Sequence, residues 1–232
     1  MRNNLHHYRR VNVSMSVRKI PKNYRNLTGV ANSNKANGAY FESTLERDFL
    51  SILEFDAAVQ SFDVQPVTIR WADSEGRLRE YTPDVLVQYY PNQCSFSSFD
   101  TVLCEVKYRS DIDKHWSEYK PKFKAAMAFA KSNGWRFKLF TEREIRTTYM
   151  ENARFLLPYL NNRLDESHER LLLDSLVAMR ETSVEALIKS IFHDKWAQAE
   201  LIPALWFLVA SNRVVTDLNL PLTMSSKVWL RR

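Results

Sequence analysis

An acidic and a basic residue share one face of a short apolar strand in the middle of the chain. The strand reads Val102-Leu-Cys-Glu105-Val-Lys107, and because strand side chains alternate between faces, Glu105 and Lys107 point the same way. Burying such charges without partners costs several kcal/mol. A second apolar run, Tyr81-Thr-Pro-Asp84-Val-Leu-Val, precedes it across a turn-rich loop, and the two runs are typical of two strands of one sheet. Asp84, Glu105 and Lys107 therefore form a candidate site.

A predicted helix supplies a third carboxylate. Ser43-Thr-Leu-Glu46 fits a capping box, in which the glutamate folds back onto the start of the helix. The apolar arc of this helix consists of Leu45, Phe49, Leu50, Ile52 and Leu53, and the polar arc of Arg47, Asp48, Ser51 and Glu54. Glu46 falls inside the apolar arc. Two interpretations are open: Glu46 only caps the helix, or it also points into the core that holds Asp84 and Glu105. The second interpretation makes Glu46 a member of the site.

Three carboxylates and one ammonium group suit a particular kind of chemistry. Oxygen-only ligands favour a hard cation, Mg²⁺ or Mn²⁺, over zinc. Such a cation lowers the pKa of a bound water and stabilises the charge that grows on a phosphoryl oxygen. Lys107 then holds the attacking water or stabilises the same charge. The alternative is a purely structural Glu105–Lys107 ion pair, which is common and weak at protein surfaces.

The elements around these residues predict a mixed α/β domain that ends near residue 149. After the helix from Ser43, the predicted elements are a strand Val64–Trp71, a turn at Ser74–Gly76, the two strands of Asp84 and Glu105, a helix Pro121–Asn133 and a strand Trp135–Phe140. Asp111 and Asp113 are expected in a solvated turn or at a helix start. The site residues are thus positioned by one sheet and one helix.

The remainder of the chain is predicted to be mainly helical. Its expected elements are helices Leu164–Met179, Val184–Phe192 and Trp196–Val209, the last broken or bent at Pro203, and strands Val214–Thr216 and Lys227–Leu230. Three helices and a terminal hairpin predict a small winged-helix-like domain over residues 150–232. The alternative function for such a domain is packing or partner docking without any nucleic-acid role. The lack of net charge in this part favours that alternative.

Positive charge is concentrated near the N-terminus. The 232 residues carry a formal net charge of +6, to which residues 1–41 contribute +8 and residues 150–232 contribute zero, leaving −2 for residues 42–149. A basic segment is typical either of nucleic-acid binding or of a solvated tail, and interleaved tyrosines and asparagines favour nucleic acid. We expect residues 1–39 to form an extended basic arm. Its expected DNA contacts are Arg18, Lys19, Lys22, Arg25 and Lys35.

Composition excludes several classes of protein. Apolar residues make up 45% of the chain and aromatic residues 12%, enough for packed cores rather than disorder. The longest apolar run, Leu201–Ala210, is too short to span a bilayer, and the residues after Met1 lack the apolar core of a signal peptide. Cys94 and Cys104 make neither a disulfide framework nor a zinc site. We therefore expect a cytoplasmic protein with reduced thiols and no membrane partner.

Several motifs resemble a known nuclease family. Thr82-Pro-Asp84 followed by Glu105-Val-Lys107 is similar to the PD-(D/E)xK nucleases of restriction-endonuclease fold. The segments Arg18–Arg25 and Phe41–Asp56, followed by Gln65-Pro, resemble TnsA, the endonuclease subunit of heteromeric TnsA–TnsB transposases. The resemblance covers about residues 18–145 by motif and the rest by architecture.

The resemblance implies a fold, an activity and partners. The implied fold is a restriction-endonuclease-like mixed sheet flanked by helices over residues 40–149, with a winged-helix-like partner-binding domain after it. Glu46, Asp84 and Glu105 would surround Mg²⁺ (or Mn²⁺), and Lys107 would be the active-site lysine. The implied reaction is cleavage of the 5′ ends of a transposon while a TnsB-like transposase cuts the 3′ ends. The C-terminal domain would contact a TnsC-like AAA+ ATPase regulator and support assembly with the transposase in a bacterial cytoplasm.

Two other functions stay open on the sequence. The first is a stand-alone restriction or repair nuclease, which needs no partner to cut plain DNA. The second is an assembly module whose nuclease-like domain only binds DNA. The presence of Glu46, Asp84, Glu105 and Lys107 together argues against the second function.

Overall fold

The chain forms two compact units. The computed structural model describes residues 29–31, 33–36, 39–161 and 165–231. The N-terminal unit comprises Ala58–Thr141 and the described residues up to Glu46, and the C-terminal unit comprises Arg47–Ala57 and the described residues from Glu142 onward. No helix in these ranges is long and apolar enough to cross a membrane.

A four-stranded mixed sheet is the centre of the N-terminal unit. In chain order, its elements are β1 (Gly29–Ala31), β2 (Ala39–Phe41), the first turn of α1 (Thr44–Phe55), β3 (Val59–Val64), β4 (Ile69–Ala72), β5 (Leu78–Tyr81), β6 (Val85–Tyr89), β7 (Thr101–Val106), α2 (Arg109–Ser132) and β8 (Arg136–Phe140). The sheet has the order β3-β6-β7-β8, with β7 and β8 parallel and the other neighbours antiparallel. The hairpins β1–β2 and β4–β5 form two separate ribbons. The predicted mixed α/β architecture is confirmed.

The predicted first strand, Val64–Trp71, is wrong in its limits. The structure has two strands there, β3 and β4, and β3 begins at Val59, before the predicted segment. The break falls at Gln65, whose φ of 49° is incompatible with a strand. Pro66 follows and has no N–H to donate to a ladder. The predicted turn at Ser74–Gly76 does join β4 to β5, with Gly76 at a φ of 77°.

Helix α2 is about twice as long as the sequence indicated. It runs through Arg109–Ser132, so Asp111 and Asp113 belong to its first turns and Pro121 lies inside it. The early part continues the apolar stripe, because Ile112, Trp116 and Tyr119 precede Phe123 at helical spacing. The predicted start at Pro121 is wrong: a proline is typical of the first helical turn, but this one lies inside the helix. The helix ends before Gly134, whose φ of 71° suits glycine.

Helix α2 covers the sheet through a compact apolar cluster. Its buried members are Val67, Ile69, Leu103, Ala126, Phe129 and Ala130. Leu103 projects from the middle of β7, two residues before Glu105, and is fully buried. This packing fixes which face of β7 is dry, and hence the surroundings of the charged residue that follows on that face.

The C-terminal unit has the predicted winged-helix order of elements. After the remainder of α1, it contains α3 (Glu142–Ile145), α4 (Thr148–Leu156), a 3₁₀ turn (Leu157–Asn161), α5 (Glu166–Met179), β9 (Glu181–Ser183), α6 (Val184–Ile191), α7 (Lys195–Ala210), β10 (Val214–Val215) and β11 (Lys227–Leu230). Strands β10, β11 and β9 form one antiparallel sheet in that order. The predicted terminal hairpin is confirmed. Helices α3 and α4 and strand β9 were not predicted.

Helix α7 is the apolar centre of this unit. It is continuous from Lys195 to Ala210 with Pro203 inside it, so the proline does not break it. Leu201, Leu205 and Leu208 on α7 are fully buried. They pack with residues of α5, α6 and the sheet, among them Leu172, Leu176, Leu187 and Val228.

Asp48 was assigned to the polar arc of α1, and this assignment is wrong. Only 3% of the residue is exposed. Its carboxylate accepts hydrogen bonds from Arg47 at 3.0 Å, Arg146 at 3.1 Å and Arg154 at 3.3 Å. Two of the arginines come from residues about 100 positions further along the chain, which no local pattern on α1 reveals. The carboxylate connects α1 to the start of the helical part of the C-terminal unit.

We predict that Asp48→Asn lowers the free energy of unfolding by about 2 kcal/mol. The amide cannot accept from three guanidinium groups, but these are partly exposed and are rehydrated, which keeps the cost at the lower end for a buried ion pair. Urea denaturation measures the change. The control is Asp174→Asn, which removes an exposed pair with Arg170 and should cost less than about 0.5 kcal/mol. Equal effects of the two substitutions would contradict the burial of Asp48.

Candidate active site

Asp84 and Glu105 come together because their strands are neighbours. Val85 of β6 pairs with Cys104 of β7, so Asp84, directly before β6, lies beside the end of β7. Asp84 Oδ2 accepts a hydrogen bond from the backbone N–H of Val106 at 2.8 Å. At the point where the two strands separate, the side chain of Asp84 therefore provides the hydrogen bond that ends the β6–β7 pairing.

Lys107 lies between these two carboxylates. Its Nζ is 3.3 Å from Asp84 Oδ2 and 3.0 Å from Glu105 Oε1. Burial disfavours the ammonium, but Asp84 and Glu105 outweigh burial and hold the pKa of Lys107 above its ordinary value. The lysine is therefore a fixed, fully protonated cation.

Glu105 is the most enclosed charge of the site. Only 2% of the residue is exposed, and its Oε2 accepts a hydrogen bond from the hydroxyl of Tyr81, at the end of β5. Burial and the negative charge of Asp84 raise the pKa of Glu105 to about 8, although Lys107 and Tyr81 act in the opposite direction. Glu105 therefore keeps its proton to a higher pH than an ordinary carboxyl.

Among the described contacts of the Glu105 carboxylate, the hydrogen bond from Tyr81 was not predicted from the sequence. Burial and the nearby carboxylates raise the pKa of Tyr81, so the phenol is a permanent donor. The available signal was its place three residues before Asp84, at the start of the same apolar run. Periodicity gave no indication that this hydroxyl would reach Glu105, because β5 belongs to a different ribbon from β7.

Glu46 caps α1 and also interacts electrostatically with the residues of the site. The Oγ of Ser43 accepts the Glu46 N–H at 3.1 Å and donates to Glu46 Oε1 at 3.0 Å, and Glu46 Oε2 accepts the N–H of Glu42 at 2.8 Å. The predicted capping box is thus formed, with Glu42 in place of the cap residue as backbone donor. Burial and then Asp84 raise the pKa of Glu46, while its capping bonds and Lys107 lower it. The two interpretations of Glu46 are therefore compatible.

A cleft of about 490 Å³ opens beside these side chains. The start of α1 contributes Glu42, Ser43 and Glu46, and the end of β7 contributes Lys107. The other wall is the first part of α2, which contributes Ser110, Asp111, Lys114 and His115. The cleft gives solvent, and hence a substrate, access to a site that is otherwise largely buried.

The donor set of the site fits a hard divalent cation. Asp84, Glu105 and Glu46 offer only oxygen atoms. The pKa values of Glu46 and Glu105 are both raised, first by burial and then by the negative charge of Asp84. Within the described ranges, no three His, Cys, Asp or Glu side chains stand as a ready-made metal cage. Both oxygens of Glu46 are engaged at the helix start, and those of Glu105 by Lys107 and Tyr81. Binding a cation therefore requires these side chains to exchange present partners for the metal.

The expected DNA contacts of the basic arm lie mostly beyond the described part of the chain. Arg18, Lys19, Lys22 and Arg25 are outside the described residues. Lys35 is described, and its carbonyl accepts a hydrogen bond from Phe62 N–H at 3.2 Å. Lys35 is thus attached to β3 by its backbone, which leaves the role of its side chain a prediction.

The fold and the site together define a class of protein. A mixed sheet flanked by helices brings Asp84 from the start of one strand beside Glu105 and Lys107 at the end of its neighbour. This is the arrangement of the PD-(D/E)xK nucleases of restriction-endonuclease fold, the class that the Thr82-Pro-Asp84 and Glu105-Val-Lys107 motifs resemble.

Comparison with family models identifies the family within this class. Residues 56–142 match the TnsA-like endonuclease N-terminal family, and residues 144–218 match the TnsA endonuclease C-terminal family. The two matches together cover more than two thirds of the chain. The chain belongs to the TnsA endonuclease family and is a DNA endonuclease subunit of a Tn7-type transposition system. No curated protein matches the chain.

We predict that the metal-free protein loses stability as pH rises from about 5 to about 8. The folded-state pKa of Glu105, about 8, exceeds the value of 4.5 for an unfolded carboxyl, so the folded protein retains a proton that the unfolded chain has released. The free energy of unfolding must then fall across this window, on the order of 2–4 kcal/mol. Urea titrations in a chelator at three pH values measure the slope.

Glu105→Gln should remove most of this slope, because the amide does not titrate. Glu80→Gln, at an exposed position of β5, is the matched control and should keep the wild-type slope. A Glu105→Gln protein whose stability still declines as steeply as the wild type would show that another group causes the dependence.

Proposed function

We propose that this chain uses Mg²⁺ or Mn²⁺ to cut the 5′ ends of a transposon while a TnsB-like transposase cuts the 3′ ends. The observation that carries the proposal is Lys107, held within 3.3 Å of Asp84 and within 3.0 Å of Glu105 at the edge of an accessible cleft. An ammonium between two acids of a nuclease fold suits hydrolysis of a phosphodiester. In that hydrolysis a water oxygen forms a bond to phosphorus, one ester oxygen leaves, and the leaving oxygen takes up a proton.

Asp84, Glu105 and Glu46 are the residues that would hold the cation. A bound Mg²⁺ or Mn²⁺ supplies a water of lowered pKa and stabilises negative charge on the phosphoryl group. The carboxylates of Asp84 and Glu105 are pre-positioned by their strands, and the Val106 N–H orients Asp84. Glu46 is held at the start of α1 and would exchange its capping bonds for the cation. The backbone positions that the strands set for Asp84 and Glu105 reduce the rearrangement needed at the time of reaction.

Lys107 has the second role in the proposed reaction. Its ammonium stays protonated, so it does not remove a proton from water. It orients the water and stabilises the charge that develops on the phosphoryl oxygens. Tyr81 keeps Glu105 in one orientation from the opposite side of the carboxylate.

We predict that Asp84→Asn lowers the rate of 5′-strand cleavage at least about 100-fold, because it removes an anionic ligand and a partner of Lys107. The assay is reconstituted excision with partner subunits and Mg²⁺, with each strand labelled separately. Asp63→Asn is the matched control, since Asp63 is an exposed residue of β3 and should retain wild-type cleavage.

The same assay separates the alternatives. If Asp84→Asn cleaves the 5′ strand like the wild type, the assigned active site is wrong. Efficient cutting of plain DNA by the purified chain without partners would favour a stand-alone nuclease. Calorimetry gives an independent measurement: a wild-type chain that binds neither Mg²⁺ nor Mn²⁺ would favour the non-catalytic assembly module.

We assign partner docking to the C-terminal unit, with a TnsC-like AAA+ ATPase and a TnsB-like transposase as partners. Residues 150–232 have no net charge, which suits a protein surface better than a DNA-binding one. Large apolar side chains are also exposed there, and Trp196 at the start of α7 is 83% exposed. Exposed tryptophans are frequent anchors of protein interfaces. The basic arm is assigned to contacts with transposon-end DNA.

We predict that Trp196→Ala weakens binding of the ATPase regulator or the transposase about tenfold or more, as expected for an interface anchor. Binding of the full-length chain to each purified partner by surface plasmon resonance measures the effect. Leu78→Ala is the control, because Leu78 is a 70% exposed apolar residue of the N-terminal unit. If both variants bind both partners like the wild type, Trp196 is not part of the docking surface.

A further inference from the structure

Three hydrogen-bonded side chains lie next to the nuclease site and have no role in the proposed cleavage. Asp111 Oδ1 is 2.8 Å from His115 Nδ1, and its Oδ2 accepts a hydrogen bond from the hydroxyl of Tyr119 at 2.5 Å. The bond from Tyr119 is the largest influence that lowers the pKa of Asp111, with His115 and Lys107 acting in the same direction. Asp111 is therefore an ionised acceptor that orients the His115 ring through Nδ1–H.

The backbone is arranged around the same histidine. Helix α2 is kinked at His115, where φ is −117° and ψ is 26°, outside the helical region. The hydrogen bonds of Asp111 span this kink, because they join the first segment of the helix to Tyr119 in the second. Tyr119 in turn stacks on the buried ring of Phe123, at 5.6 Å between centroids. The imidazole is thus attached to the core of the N-terminal unit.

Two potential donors remain for a ligand. Asp111 occupies Nδ1, and His115 Nε2 has no hydrogen-bond partner among the described residues. Lys114 is adjacent and forms no ion pair with any described residue. Both side chains line the cleft that also contains Lys107. The other acids that line the cleft, Glu42 and Glu46, belong to the start of α1.

We propose that Lys114 and His115 together bind one backbone phosphate of the DNA that enters this cleft, with Asp111 and Tyr119 as positioning residues for the imidazole. A phosphodiester oxygen is an anionic acceptor, which satisfies both the ammonium and a proton on Nε2. The imidazole then bridges two anions, the Asp111 carboxylate and the phosphate. This inference rests on the proposed function, because it requires the cleft to receive DNA.

Binding to a transposon-end duplex tests the proposal. Fluorescence anisotropy is measured with the full chain in the Asp84→Asn background, which keeps the DNA intact. His115→Ala and Lys114→Ala should each raise Kd about tenfold, equivalent to about 1.4 kcal/mol. Lys114→Ala removes the ammonium that neutralises this phosphate, so it should also reduce the slope of log K against log salt by about 0.9, the value for one lost phosphate contact on duplex DNA.

Three variants separate a phosphate contact from a structural role. His115→Arg keeps an N–H donor at the cleft and should bind within about threefold of the background protein, whereas a merely structural histidine would not be rescued. Tyr119→Phe keeps the ring stack but removes the hydroxyl, and should weaken binding by less than His115→Ala. Lys124→Ala, at an exposed position of α2 outside the cleft, should change neither Kd nor the slope.

The results distinguish a failure of this inference from a failure of the proposed function. An unchanged Kd in His115→Ala, an unchanged salt slope in Lys114→Ala, or an equal loss of affinity in Lys124→Ala would overturn the inference. Cleavage by the chain with Asp84 intact provides the second measurement: His115→Ala should raise the half-saturating DNA concentration about tenfold. If the wild-type chain cuts 5′ ends but His115→Ala binds DNA normally, only this inference fails. If the wild-type chain cuts no DNA with its partners present, the proposed function fails instead.

Discussion

The position of one ammonium group between two carboxylates is the constraint on which the nuclease site depends. Lys107 neutralises only part of the charge of Asp84 and Glu105, and Glu46 adds a further acid within their field. In a largely buried location, such an excess of negative charge is unfavourable unless a cation or protons balance it. Burial and the negative charge of Asp84 are the two largest causes of the raised pKa of Glu105. This excess of negative charge supports the divalent cation that we propose for the site.

The remaining structure keeps these charges in place. The β6–β7 pairing sets the distance between Asp84 and Glu105, and α2 packs on Leu103 so that the face of Glu105 stays dry. The capping box of α1 holds Glu46, which links the start of that helix to the site. Tyr81 approaches from the separate β4–β5 ribbon. Four independent pieces of backbone thus converge on one small volume, and each is secured by apolar packing or by hydrogen bonds of its own.

The cleft carries charges of both signs. Its carboxylates come from the start of α1 and from Asp111 on α2, and Lys107, Lys114 and His115 come from the end of β7 and the start of α2. A phosphodiester with an accompanying cation also presents both signs of charge. The C-terminal unit differs in kind, since its residues 150–232 balance acids and bases and expose apolar side chains such as Trp196. These differences support the proposed division of ligands, DNA for the N-terminal unit and proteins for the C-terminal unit.

The sequence by itself determined the local features of this protein. Alternation placed Glu105 and Lys107 on one face, the capping box set the start of α1, and the motifs around Asp84 and Glu105 identified the nuclease class. These features depend on neighbours within a few residues, which a linear pattern contains. Only the tertiary structure revealed the burial of Asp48 by Arg146 and Arg154, the bond from Tyr81 to Glu105 and the early part of α2 with its Asp111–His115–Tyr119 chain. The contacts of Asp48 and Glu105 join residues distant in sequence, so no local pattern records them. The Asp111–His115–Tyr119 hydrogen bonds are polar contacts across a helix kink, which hydrophobic periodicity does not report.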